Sequence, residues 1–115
     1  MARQVHTIQT FNALYSTTGK NLTMVAADVT NDEEVAHNGK IFIVAQNTDV
    51  SAHTVTVNST PLNGRTGDIS AHSIPAAGVC LLGPFPNAGW SQTTGLLLFE
   101  ANDATVKFAV VTLPA

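Results

Sequence analysis

A chain of 115 residues fits one domain, a size at which folding hides roughly two thirds of the surface that the unfolded chain exposes, so a core forms without staples. Only 11% of the residues are charged, and Thr, Ser and Asn fill the gap. With a formal net charge of −3 and only Arg3, Lys20, Lys40, Arg65 and Lys107 as cations, no basic stripe is available to follow a phosphate backbone, and nucleic acid is not an expected partner.

In chain order, the start MARQVHTIQTFNALYS lacks a continuous apolar core and is not expected to act as a secretory signal. QVHTIQTF (4–11) alternates imperfectly through Val5, Ile8 and Phe11, and the following NALYSTTGKN is polar and weakly patterned. Residues 1–20 therefore read as an N-terminal arm whose strand pairs either with the body or with another subunit, ahead of a domain spanning 21–115. TMVAADVT (23–30) predicts a strand. TNDEEVAHNG, with adjacent Asp32, Glu33 and Glu34, reads as a solvated turn, and Asn38-Gly39 suits a tight turn.

IFIVAQN (41–47) is apolar on both faces and predicts a central strand. HTVTVNS (53–59) places Val55 and Val57 on one face, with NTDVSA before it as the loop of a hairpin. PLNGRTGD is an exposed loop, DISAHSI (68–74) and GVCLLG (78–83) are two strands parted at Pro75, and GPFPNAGWSQTTG (83–95) is the longest irregular stretch. Phe85 and Trp90 in that stretch are too large to leave in water and must cap the core or meet a partner. LLLFE (96–100) and VKFAVVTL (106–113) close the chain around an ANDA turn. The fold expected is all-β: a single antiparallel β-sandwich, jelly-roll-like or barrel-like, with an N-terminal arm.

Catalytic chemistry finds little support. His6, His37, His53 and His72 lie in four separate segments without metal-ligand spacing, DVTNDEE only loosely resembles a calcium loop, and no GxSxG elbow or phosphate-binding glycine loop is present. Cys80, the single cysteine, sits in an apolar run and reads as a small buried hydrophobe. The longest apolar runs, IFIVA and LLLF, are much shorter than the roughly 20 residues of a membrane-spanning helix, so no membrane is expected. No enzyme activity, cofactor or metal is expected.

NGKIFIVAQNT, AHTVTVNS, GRTGDIS, IPAAGVCLLGPFPNAGW and LFEANDATVKFAVVTLP together resemble a group of small structural proteins of tailed bacteriophages over roughly residues 38–114. Gly64, Arg65, Gly67, Asp68, Gly83, Pro84, Phe85, Pro86, Gly89 and Trp90 carry the likeness. The resemblance implies a virion β-sandwich: a capsid decoration or cement protein, folded in the host cytoplasm, that binds the major capsid protein on the outer surface of the head and stabilises the shell. Binding at a threefold site would favour a homotrimer. The candidate partner contacts are Phe11, Leu14 and Tyr15 on the arm, with Phe85 and Trp90 in the loop. A tail, neck or head-completion component is the alternative, and a host-glycan-binding module using Trp90, Tyr15 or Phe85 a further one.

Overall fold

The computed structural model describes residues 3–11, 16–60 and 67–112. These form ten strands: β1 (Gln4–Val5), β2 (Ile8–Thr10), β3 (Val25–Ala26), β4 (Glu33–Ala36), β5 (Ile41–Asn47), β6 (His53–Val57), β7 (Ile69–Ile74), β8 (Val79–Phe85), β9 (Leu96–Ala101) and β10 (Val106–Thr112). They build two sheets, one in the order β1-β4-β9-β6-β7 and one in the order β2-β10-β5-β8, with β3 pairing β10 alongside β2. The architecture is the expected all-β sandwich. Its pairing is antiparallel except where the N-terminal strands run parallel to their partners, β1 to β4 and β2 to β10.

Alternation in the sequence translates directly into two faces. Ile41, Ile43 and Ala45 of β5 and Val106, Phe108 and Val110 of β10 point inward from one sheet. Val35, Val55, Val57, Leu97 and Phe99 meet them from the other. Each fully buried side chain of this kind contributes about 1.5–3 kcal/mol relative to exposure. Phe99 and Phe108 cross the gap edge to face, with ring centroids 4.9 Å apart, joining β9 to β10 through the centre.

The loop between β5 and β6 corrects the hairpin expectation. β5 lies beside β10 and β8, whereas β6 lies in the opposite sheet between β9 and β7, so NTDVSA carries the chain across the sandwich. Period-two alternation tells which face of a strand is buried, but not which strand lies beside it. The turn at Asn38-Gly39 forms as expected: Gly39 has φ +80, and the Asn38 side chain accepts from the Lys40 N–H at 2.8 Å. The acidic cluster is a second correction. Glu33 is fully buried in β4, held by the Asp28 N–H at 2.7 Å and by Gln4 Nε2 at 2.8 Å, so only its neighbours Asp32 and Glu34 retain partial exposure.

The N-terminal strand pair closes one side of the sandwich by changing sheets. β1 pairs with β4, and three residues later β2 pairs with β10, with buried His6 at the crossing, its ring 5.1 Å from that of Phe99 and 6.0 Å from that of Phe108.

Candidate functional site

The five residues proposed as contacts fall in different environments. Phe85 is 1% exposed and belongs to the core, so in the folded chain it presents no surface to a partner. Trp90 packs partly buried against that core, edge to face with Phe85 at 4.9 Å. The loop between them is fastened by backbone bonds from Ser91 N–H to Asn87 O at 2.9 Å and from Thr60 N–H to Gly89 O at 2.7 Å. Gly83 begins this segment at φ +105, where a Cβ would lie 2.9 Å from the Phe85 ring, so the close packing of Phe85 requires glycine there. Phe11 is 41% exposed and leans its ring on Phe42 at 5.5 Å. Leu14 and Tyr15 lie outside the described residues, as do Gly64 and Arg65.

A pair of exposed apolar side chains on one strand lies elsewhere, on residues that the sequence did not single out. Val79 and Leu81 of β8 are 62% and 65% exposed and share the outer face of their sheet. Across the ladder Leu81 faces Val44, and Phe42 on the same face of β5 meets Phe11, so an apolar strip runs over β8 and β5 to Phe11, while the β10 neighbours Ala109 and Val111 are buried. Phe42, Val44, Gln46, Val79 and Leu81 include no charged side chain. The signal in the sequence was the continuous apolar run of IFIVA and VCLL: a strand with only one covered face alternates with polar residues, and these two do not.

Polar side chains near the surface work mainly as clasps. Asp68 accepts from both the N–H and the hydroxyl of Ser59, and Asp103 does the same for Thr105. These bonds hold both carboxyls below the usual aspartate range, the backbone N–H contributing most. Asp28 is lowered by Asn31, and Asp49 by its 2.7 Å hydrogen bond with His53 Nε2. Cys80 lies on the inner side of β8, and burial pushes its thiol up, which makes it a poor nucleophile.

One cleft, of about 610 Å³, runs between the β1–β2 strand and the segment leading to β3, over β10. Val5, Ile8 and Val25 supply its apolar wall, and Lys20 is its one cation among the described residues. Among the described residues no group of three His, Cys, Asp or Glu side chains is placed to hold a metal ion, and no helix is long and apolar enough to cross a membrane. Chemically, the arrangement offers burial and backbone pairing to another polypeptide. Compared with known protein families, curated proteins and solved structures, the chain matches none of them.

Proposed function

We propose that this protein is a subunit-binding structural module, a capsid decoration protein that attaches to the outer surface of a tailed-phage head and stiffens the shell. The observation that carries the reading is the uncharged apolar strip from Leu81 across Val44 towards Phe11, presented on a rigid β scaffold. The residues resembling tailed-phage structural proteins, from Gly83-Pro84 to Gly89-Trp90, support it from the sequence side. A decoration protein acts by mass action: by binding the assembled shell and not its dissociated parts, it shifts the equilibrium towards the shell, and contacts with several capsid subunits add avidity. Such work requires contact area and rigidity.

The tail or neck alternative differs in location and copy number. The glycan-binding alternative is less favoured, because Trp90 is engaged by Phe85 and partly covered. Mixing the purified protein with undecorated heads, followed by sedimentation and cryo-electron microscopy, tests the proposal. Hundreds of copies arrayed over the shell are expected. No co-sedimentation, or density confined to one vertex, would remove the decoration role.

A further inference from the structure

We infer that β8 is a self-pairing edge, through which two copies of this chain join their sheets about a twofold axis, with Val79 opposite the partner's Leu81. This goes beyond shell binding and does not depend on it.

The argument starts from the sheet edges. Edge strands carry unpaired N–H and C=O groups, and proteins blunt them unless they serve as joints. On one side of the sandwich the two sheet edges are formed by the short strands β1, β2 and β3, of two or three residues each, as the chain changes sheets. On the other side, β7 is interrupted: its register with β6 shifts between Val55 and Val57, Ala71 has φ 47, and its exposed side chains include Ser70, His72 and Ser73. β8 has none of these protections between Val79 and Leu82.

The ladder shows which groups that edge offers. Asn47 N–H donates to Gly78 O, so these two form a hydrogen-bonded pair. Following the register, Ala45–Cys80 and Ile43–Leu82 are also of that type, while Gln46–Val79 and Val44–Leu81 are not. The N–H and C=O of Val79 and Leu81 therefore point away from β5, and among the described residues no hydrogen bond reaches them. The same two residues carry the exposed apolar side chains.

A second copy satisfies this edge by symmetry. In antiparallel pairing about a twofold axis at Cys80, Val79 and the partner's Leu81 exchange both backbone bonds, as do Leu81 and the partner's Val79. The exposed side chains meet on one face. No charged residue lies in β8, so no like charges oppose each other across the axis. The geometry points to twofold closure in place of the threefold expected from the resemblance. Cys80 then faces the partner's Cys80 as a non-hydrogen-bonded pair, with Cα atoms about 4.5 Å apart, inside the range of about 4.4–6.8 Å that a disulfide spans.

Sedimentation equilibrium of the full chain is expected to give twice the 12.0 kDa chain mass. Diamide, which accepts two electrons and two protons from two thiols, is expected to convert that dimer to a species linked by one Cys80–Cys80 bond. Val79→Lys with Leu81→Lys, at exposed positions that leave the core intact, is expected to weaken the dimer at least about tenfold, while Ser73→Lys on β7 leaves it unchanged. Circular dichroism checks that each variant is folded. A monomer at concentrations up to roughly 0.1 mM, a species larger than a dimer or a dimer indifferent to the lysines would each overturn the inference. Shell binding is measured separately on the unsubstituted chain, because Leu81 belongs both to this edge and to the strip proposed to meet the shell, so that failure of the dimer and failure of the decoration role are read apart.

Discussion

The side-chain amide of Asn47 donates to the carbonyl oxygen of Ile74 at 3.1 Å, stitching the end of β5 in one sheet to the end of β7 in the other. The same nitrogen lies 2.8 Å from Ser51 O and 3.2 Å from Pro75 O, and Asn47 Oδ1 accepts from the Asp49 N–H. Asn47 is fully buried and its bond to Ile74 O forms away from water, where a lost partner costs about 1–3 kcal/mol. Asn47→Asp replaces the donor with a carboxylate aimed at carbonyl oxygens and is expected to destabilise more than Asn47→Ala. Urea denaturation of both variants checks the order. The reverse order would mean that packing, not donation, fixes this corner.

Phe99→Ala removes the ring that meets Phe108 edge to face at the centre of the sandwich. A loss of about 3–5 kcal/mol is expected from transfer and cavity terms together. Trp90→Ala, at a partly exposed position on the core's margin, is expected to cost less. Thermal melts of the two side by side decide, and equal losses would place Trp90 as deep energetically as Phe99.

Glu33 contributes as an acceptor. Glu33→Ala leaves the part-buried Asp28 N–H without its bond and removes one of the two acceptors of Gln4 Nε2, which also donates to Ala26 O, and is expected to cost about 1–3 kcal/mol. Glu33→Gln keeps a carbonyl oxygen for both donors while removing the buried charge, and is expected to be at least as stable as the parent. Were Glu33→Gln as damaging as Glu33→Ala in a denaturant titration, the charge facing His6 at 3.7 Å would be the essential feature.

Stability is expected to fall in acid. Asp28, Asp49, Asp68 and Asp103 all have carboxyls lowered in the folded chain, so their contribution is complete above the unfolded aspartate pKa of about 3.9 and is lost as pH drops through the folded values below it. Denaturation midpoints should hold steady from about pH 7 to 5 and decline below about pH 4. Asp68→Asn, which retains an acceptor oxygen for Ser59 but no charge, should show a shallower decline. An identical acid profile would exclude Asp68 from the effect.

Attachment to shells through an uncharged strip is expected to resist salt. At about 1 M salt the Debye length is roughly 3 Å and surface ion pairs are screened, while apolar burial is not weakened. Co-sedimentation with heads at low and high salt measures this. Stripping by salt would assign attachment to charged residues instead.

The amino-acid sequence by itself determined the class of fold and most of its strands. Val55 and Val57 alternate with threonines, and Val106, Phe108 and Val110 alternate along β10, so local side-chain periodicity alone says which face is buried. It also made Asn38-Gly39 a turn, because few other residue pairs accept that backbone. Only the tertiary structure decided which strands are neighbours, since strand pairing depends on contacts between segments distant in sequence: β5 and β6, adjacent in the chain, lie in opposite sheets. The same reason hid Glu33, whose burial is caused by the Asp28 N–H and by Gln4 from a strand 29 residues away. It hid the candidate surface as well. Phe85 was legible as a large aromatic needing cover, and the fold supplied that cover from within the chain. Val79 and Leu81 stand in an apolar run that says nothing of which strand is last in its sheet, and the sheet ends at β8 and leaves them outside.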